Sequence, residues 1–294
     1  MVVTIDPSSG FCFGVKRAIE QAEKILDKEG KLYCLGDIVH NKAEMERLEG
    51  IGLVSVGRDN LDNLKDVPVL FRAHGEPPSS YLKADENRLL LTDATCPIVK
   101  KLQDKIRKAW EEMKERGGQV VIFGSPGHPE TIGLRGQTEG GAMVLQTPGD
   151  LEKINPAAPV ELFSQTTMNT EEYMQLASNL RNRMRDHFAG HSVPLKVHKT
   201  ICGQISGRIP RIRKFASSHD VLVFVGGSQS SNARVLFNHC REVNERSWFV
   251  TGPHEVKAEW FSGAGSAGVC GATSTPRWLM EQVAERIREL PPWK

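Results

Sequence analysis

Three cysteines in this sequence stand directly before a predicted helix, where a thiol could bind a metal or react. Cys96, in the stretch TDATCPIVKK, follows an apolar run and precedes Pro97, which suits the first turn of a helix. Cys12 and Cys202 precede the similar stretches FGVKRAIEQAEKIL and GQISGRIPRIRKFA. The amino terminus of a helix carries a partial positive charge, which favours the thiolate form of a nearby cysteine. These positions therefore suit thiolates that bind a metal centre.

The stretches after the three cysteines form a weak internal repeat. Each has an aliphatic residue three positions after the cysteine, followed by basic residues in an amphipathic pattern. The cysteines lie 84 (96 − 12) and 106 (202 − 96) residues apart, about one small domain each. If three such domains converge, their thiolates suit an iron–sulfur cluster with one iron free of protein ligand, whereas four cysteines would give a closed electron-transfer cluster.

Two other interpretations of the cysteines stay open at this point. A buried cysteine is often only a small apolar side chain, and we interpret Cys34, Cys240 and Cys270 in this way because they lie inside predicted strands or a helix. The segment after Cys202 contains Gly207 and Pro210, so we expect a helix that starts late or is kinked. A zinc site is the other alternative, but zinc ligands usually include close pairs such as C-x-x-C, and the sequence has none.

Histidines and small polar residues follow several predicted strands. His40, His74 and His128 lie in the loops DIVHNK, FRAHGE and SPGHPE, while a fourth strand runs into SQSSN and a fifth into GATSTP. Such loops at helix starts offer hydroxyl and backbone N–H groups that bind phosphate. Helix capping is the alternative role: Asn232 could start the helix that follows it, and Ser274 or Thr275 could precede Pro276 at the start of the last helix. Glu130, in GHPE, is a candidate proton relay, and an exposed loop carboxylate is its alternative.

Apolar runs alternate with amphipathic patterns along the chain, which indicates an α/β protein with parallel strands. We predict strands at VVTI, KLYCLG, VPVLFRA, RLLLT, QVVIFG, VELFS, DVLVFVGG, WFVTG and AGVCGA. Helices are predicted over residues 15–28, 99–116, 170–188, 212–218, 232–244 and 275–289. Possible breaks at Pro148-Gly149 and at residues 191–194 lead us to divide the chain into three α/β lobes, 1–97, 98–192 and 193–294.

Composition excludes several classes of protein. The chain has 39% hydrophobic and 25% charged residues and a net charge of +2, which is ordinary for a globular protein and gives no sign of nucleic-acid binding. No apolar run reaches the length of a membrane helix, and MVVTIDPSSG does not resemble a secretory signal. We therefore expect a cytoplasmic protein whose six cysteines do not form disulfides.

These motifs together resemble one enzyme family. GFCFGVKRAI, IVHNK, AHGE, DATCP, GHPE, SQTT, IC, GGSQSSN and GATSTP occur in the order seen in the 4-hydroxy-3-methylbut-2-enyl diphosphate reductase (LytB/IspH) family. The resemblance extends from residue 10 to about residue 280. It implies three small α/β lobes in a pseudo-threefold arrangement around a central 4Fe–4S cluster.

The resemblance also assigns roles to residues of this chain. It implies that Cys12, Cys96 and Cys202 hold three irons of the cluster, and that Glu130 and Thr166 act near the substrate's hydroxyl group. The residues that it implies for binding the diphosphate are His40, His74, His128, Ser230, Ser231, Asn232 and Ser274. The implied reaction removes the hydroxyl group as water with two electrons and two protons, and gives isopentenyl and dimethylallyl diphosphates. An external donor of the ferredoxin or flavodoxin type would supply the electrons, to a monomer or a homodimer.

The chain departs from the family pattern after Cys202 and after Glu130. The family usually has a threonine and an Arg-Gln pair where this chain has Ile205 and Arg208-Ile209, and the segment PETIGLRGQ also differs. The alternatives are a divergent cluster-containing paralogue, acting as a reductase or a hydro-lyase on another small molecule, and an iron–sulfur sensor without catalysis.

Overall fold

A computed structural model describes residues 1–188 and 192–291 of the chain, so the predicted break at residues 191–194 begins outside the described residues. The chain divides into two units, one formed by Met1–Ser55 with Gly203–Lys294 and the other by Val56–Cys202. None of the described helices combines the length and the apolar run that a membrane crossing requires.

The regular structure consists of short strands and amphipathic helices. The strands are β1 (Val2–Ile5), β2 (Leu32–Leu35), β3 (Leu53–Val56), β4 (Pro68–Phe71), β5 (Leu90–Asp93), β6 (Gln119–Phe123), β7 (Met143–Leu145), β8 (Val160–Ser164), β9 (Leu195–Val197), β10 (Val221–Val225), β11 (Ser247–Val250) and β12 (Ser266–Gly271). The helices are α1 (Phe13–Glu29), α2 (Lys42–Glu49), α3 (Pro78–Glu86), α4 (Pro97–Glu115), α5 (Pro129–Gly136), α6 (Thr170–Arg185), α7 (Gly203–Ser206), α8 (Arg208–Ser217), α9 (Ser231–Arg241) and α10 (Arg277–Arg288).

The first unit contains a parallel sheet with the strand order β1-β12-β10-β11. Alternate residues of β10 pack against opposite helix layers, since Val221, Val223 and Val225 belong to a core with α10. Leu222 and Phe224 belong to a core with α8 and α9. Burial on both faces explains why the strand reads as an uninterrupted apolar run.

The second unit contains a parallel sheet with the strand order β7-β6-β8-β9. Val121 and Phe123 of β6 pack on the side of α6, while Val120 and Ile122 pack on the side of α4. The same unit contains the parallel pair β4 and β5.

One order of elements occurs three times along the chain: helix, strand, helix, two strands, helix and strand. The series run α1 to β5, α4 to β9, and α7–α8 to α10, and the last is completed by β1, which pairs with β12. The described residues form three four-stranded sheets, which confirms the predicted α/β class with three lobes. The linear boundaries at 97/98 and 192/193 stay a prediction.

The three cysteines assigned to packing lie where the sequence predicts them. Cys34 is in β2, Cys240 is in α9 and Cys270 is in β12, and all three are fully buried. Burial raises the pKa of the Cys270 thiol, and its neighbour Cys240 adds to this shift. These thiols therefore behave as apolar core side chains.

Candidate active site

Cys12, Cys96 and Cys202 each stand directly before a helix, as predicted. Cys12 is the N-cap of α1, Cys96 is the N-cap of α4, and Cys202 precedes the short α7. The main helix after Cys202 begins only at Arg208, which confirms the expected late start. All three cysteines are half-buried, in contrast to the three core cysteines.

The backbone of each of these cysteines is fixed in the same way. Each N–H group donates to the carbonyl oxygen of the residue two positions after a strand of the same unit: Cys12 to Thr273 after β12 at 3.1 Å, Cys96 to Ala73 after β4 at 3.0 Å, and Cys202 to Thr166 after β8 at 2.9 Å. The three cysteines are therefore structurally equivalent positions of the repeat. The shared hydrogen bond is better evidence for the repeat than the sequence is, because the sequences of the three following helices match only loosely.

The polar residues after the strands fall into two equivalent classes. His40, His128 and Ser230 each lie five positions after a strand, namely β2, β6 and β10. His74 and Ser274 each lie three positions after β4 and β12. The sequence grouped the three histidines together, but the structure places His74 in the class of Ser274. Two lobes therefore present one residue of each class, and the lobe of β6 presents His128, all at the carboxyl ends of strands, where ligands of parallel sheets bind.

His74 and His128 meet within the second unit. Their rings pack edge to face, with centroids 5.3 Å apart and an interplanar angle of 81°. His128 is the N-cap of α5, and its Nδ1 accepts the backbone N–H of Glu130 at 3.2 Å. This bond fixes the tautomer of His128 that carries its proton on Nε2.

Glu130 is buried in the first turn of α5, with 1% of its surface exposed, which rules out the alternative of an exposed loop carboxylate. Its Oε1 accepts the backbone N–H of Thr166 at 2.7 Å, and its Oε2 accepts the Thr166 hydroxyl at 2.8 Å. Burial raises the pKa of Glu130 to about 7, although the two bonds from Thr166 act in the opposite direction. A carboxyl group with this pKa can donate or accept a proton near neutral pH.

Gln165 is a buried residue that sequence reasoning missed. Its Oε1 accepts hydrogen bonds from the backbone N–H of Ser125 and from the Thr131 hydroxyl, both at 3.1 Å. Its Nε2 donates to the Thr167 hydroxyl at 2.7 Å. The glutamine thus links the loop after β6, helix α5 and the SQTT segment. These bonds hold the helix that carries Glu130 against the segment that carries Thr166. Its position inside the SQTT motif was the available signal.

The serine and asparagine candidates lie together in the first unit. The hydroxyl groups of Ser230 and Ser274 are 3.0 Å apart, and both residues are buried. Asn232 is 4% exposed and donates through Nδ2 to the Thr273 hydroxyl. Its Oδ1 is buried and has no hydrogen-bond partner among the described residues. Ser231, between them, is half-buried in the first turn of α9.

The capping alternative applies to only one of these residues. Ser230 is the N-cap of α9 and accepts the N–H of Ala233 at 3.2 Å. Asn232 lies inside that helix and Ser274 lies before the Pro276 cap of α10, so the predicted capping roles of both are wrong. Helix capping therefore does not explain why Asn232 and Ser274 are buried.

A cavity of about 590 Å³ lies beside His40 in the first unit. Its lining includes the loops that follow β10 and β11 and the start of α2. Gly227 approaches the His40–Asn41 backbone so closely that an added Cβ would overlap the carbonyl oxygen of His40. This glycine therefore sets the distance between the β10 loop and His40.

The model of the LytB protein family matches residues 3–288 of the chain. The chain belongs to the LytB protein family. Two curated relatives of this LytB chain are both called 4-hydroxy-3-methylbut-2-enyl diphosphate reductase. The protein from Parabacteroides distasonis is 46% identical over 288 residues and covers 98% of each chain. The protein from Porphyromonas gingivalis is 48% identical over 290 residues, covering 98% of this chain and 99% of its own length.

Two solved structures are similar to this LytB chain. A structure described as (E)-4-hydroxy-3-methyl-but-2-enyl diphosphate reductase, the terminal enzyme of the non-mevalonate pathway, has a TM-score of 0.71 and 33% identity, covering 98% of this chain and 100% of that one. The corresponding reductase from Plasmodium falciparum has a TM-score of 0.83 over 100% of this chain and 95% of that one. At 23% identity, the second comparison supports the fold alone.

Proposed function

We propose that this LytB chain is a cytoplasmic iron–sulfur reductase of isoprenoid biosynthesis. It converts 4-hydroxy-3-methylbut-2-enyl diphosphate to isopentenyl and dimethylallyl diphosphates. One C–O bond breaks and two electrons and two protons enter. One proton completes the water that leaves, and the other forms a new C–H bond at an allyl carbon. The observation that carries the proposal is the full-length similarity to reductases of this name, at 46% and 48% identity.

The cofactor is a 4Fe–4S cluster held by Cys12, Cys96 and Cys202. These cysteines fit the cluster because they are half-buried thiols at equivalent positions of the repeat, each before a helix and each with its backbone N–H already bonded. Three cysteine ligands leave one iron without a protein ligand. When bound, the cluster supplies electrons from a ferredoxin or flavodoxin type donor and a Lewis-acidic iron for the hydroxyl group.

Glu130 and Thr166 handle the protons. With a pKa of about 7, Glu130 holds a proton in a large fraction of molecules at neutral pH, and Thr166 is bonded directly to it. The hydroxyl of Thr166 can accept the proton of Glu130 and pass its own proton to the leaving oxygen. Glu130 then takes up a new proton before the next turnover.

The diphosphate is bound mainly by neutral donors. The proposed set is His40, His74, His128, Ser230, Ser231, Asn232 and Ser274. Ser230, Asn232 and Ser274 are supported by their burial, and the last two by having no capping role. His128 is supported by its place at the N-cap of α5 and by its tautomer, in which Nδ1 accepts the backbone N–H of Glu130 and Nε2 carries the proton. Holding the diphosphate orients the reactive end of the substrate.

The test is anaerobic purification followed by assay with the allylic diphosphate and a reduced low-potential mediator. The expected result is a brown protein with acid-labile sulfide that forms both isomeric products only when the mediator is reduced. Turnover without reductant would instead indicate a hydro-lyase. A cluster-bearing protein that leaves the substrate unchanged would overturn the reductase proposal and favour a sensor.

A further inference from the structure

Arg208 is a buried cation beside the loop that carries Cys12. It is the first residue of α8 and only 9% of its surface is exposed. Its Nη1 donates to the backbone carbonyl of Gly10 at 2.8 Å, two residues before Cys12. Gly10 has a φ of +118°, a conformation that side-chain-bearing residues rarely adopt, so this bond supports an unusual backbone turn.

The charge of Arg208 has no carboxylate partner. Among the residues that the structure describes, no carboxylate oxygen lies within 4.0 Å of a guanidinium nitrogen of Arg208. The nearby Asp6 carboxylate is instead occupied by the hydroxyl groups of Ser8 and Ser9, at 2.7–2.9 Å. A guanidinium group stays ionised in proteins, and a position at the start of a helix is unfavourable for a cation.

A largely buried cation that forms no ion pair among the described residues is stabilised by an anion nearby. Burial lowers the pKa of Arg208, and the negative charges of Cys12 and Asp6 act in the opposite direction. Of these two groups, Cys12 has the larger effect, and the Asp6 carboxylate is also held by the hydroxyl groups of Ser8 and Ser9. A cluster on Cys12 would place a net negative charge at this point and would become more negative on reduction.

We propose that Arg208 is a positioning residue that fixes the Gly10–Cys12 loop and that its positive charge stabilises the reduced iron–sulfur cluster. The inference rests on the proposed function, because it needs a cluster at Cys12. A positive charge lowers the free energy of the more negative redox state, so it raises the reduction potential. A purely structural residue would change the amount of bound cluster without changing its potential.

The experiment compares the unmodified protein with R208Q, R208K and R211Q. Arg211 lies on the same helix but is exposed, so R211Q removes the same charge from a solvated position. Iron and sulfide are measured after anaerobic reconstitution, and the midpoint potential of the bound cluster is measured without substrate by redox titration followed by electron paramagnetic resonance. Neither readout depends on turnover.

We expect R208Q to lower the ratio of reduced to oxidised cluster at least tenfold at a fixed potential, a shift of about 59 mV for one electron. R208K and R211Q should stay near the unmodified protein. An unchanged potential in R208Q, or an equal shift in R208K, would overturn the proposal. If R208Q binds no cluster, the test depends on R208K, which keeps the charge. Loss of the cluster in R208K as well would show that the shape of Arg208 matters and not its charge, and would overturn the proposal. An unmodified protein that binds no cluster would contradict the proposed function itself.

Discussion

Thr166 donates two hydrogen bonds to Glu130, from its backbone N–H to Oε1 at 2.7 Å and from its hydroxyl to Oε2 at 2.8 Å. Both bonds stabilise the carboxylate form, yet burial outweighs them and raises the pKa of Glu130 to about 7. The pair joins α5 to the loop after β8, and Thr166 also accepts the backbone N–H of Cys202 at 2.9 Å. The proposed proton donor and one proposed cluster ligand thus share hydrogen bonds with a single threonine.

Replacing Glu130 with glutamine should abolish most turnover while the cluster is retained. Glutamine preserves the shape and can still accept the Thr166 N–H, but it cannot exchange a proton. We expect kcat to fall by about 10²–10⁴-fold, the usual contribution of a positioned acid or base. Steady-state assay with a reduced mediator measures the effect, with E112Q as the exposed control. A rate in E130Q close to that of the unmodified protein would remove Glu130 from the mechanism.

The pH dependence of kcat should report the protonation of Glu130. If the protonated form donates, activity is present below the pKa of about 7 and falls as the pH rises through it. T166V removes the hydroxyl group that relays the proton, so kcat should fall. It also removes the hydrogen bond that favours the carboxylate, so the pKa of Glu130 should rise further, and the residual activity reports this shift. The decline of kcat at alkaline pH should move to higher pH by roughly one unit, since a hydrogen bond to a charged group contributes about 1.5 kcal/mol or more.

The control for this shift is T167V, since the Thr167 hydroxyl binds Gln165 rather than Glu130. Its kcat should decline at the same alkaline pH as that of the unmodified protein. A decline that stays in place in T166V, or that moves to lower pH, would show that the hydroxyl does not stabilise the carboxylate.

Alanine variants of Ser230 and Ser274 should distinguish an effect on substrate binding from an effect on stability. S274A removes no helix cap, so it should raise KM about tenfold and leave the free energy of unfolding nearly unchanged. S230A should raise KM similarly and also lower the free energy of unfolding by about 1 kcal/mol, because Ser230 caps α9. Kinetics and urea titration measure the two effects, with S228A in the exposed part of the loop as control. Equal stability losses in S230A and S274A would contradict this division.

Gly227 should tolerate no side chain. In G227A the added carbon would overlap the His40 carbonyl, so the β10 loop and His40 must separate. We expect KM to rise at least tenfold and the free energy of unfolding to fall by about 1–3 kcal/mol, as for overpacked sites. G149A is the matched change, because its added carbon would meet only the hydroxyl oxygen of Thr147, at an ordinary contact distance of 3.7 Å. Unchanged kinetics in G227A would show that the loop does not position His40.

Much of the fold follows from the sequence because its central strands are buried on both faces. The apolar runs of β6 and β10 and the amphipathic pattern of α4 are strong signals of this kind. The short strands β7 and β9, with three residues each, give too few positions for a pattern. The pairing of β1 with β12 joins the two ends of the chain, and no local pattern carries that information.

Helix α5 shows why part of the site was not predicted as regular structure. Its sequence PETIGLRG contains Gly133 and Gly136, which lower helix propensity. The structure gives both glycines a packing reason, since a Cβ at Gly133 would meet the Gly75 carbonyl at 2.8 Å and one at Gly136 would collide with Pro77. The helix that carries Glu130 is therefore fixed by tertiary contacts. Motif order identified the candidate residues, whereas the equivalence of the cysteines needed the hydrogen bonds that the structure supplies.

The most direct test of the account is the iron and sulfide content of single cysteine variants purified without oxygen. The unmodified protein and C270S, which changes a core thiol of β12, should each hold about four irons and four sulfides per chain, the content of one 4Fe–4S cluster. C12S, C96S and C202S should each lose most of both. Full iron and sulfide in any of these three variants, or an equal loss in C270S from a folded protein, would contradict the proposal that these three positions of the repeat hold the cluster.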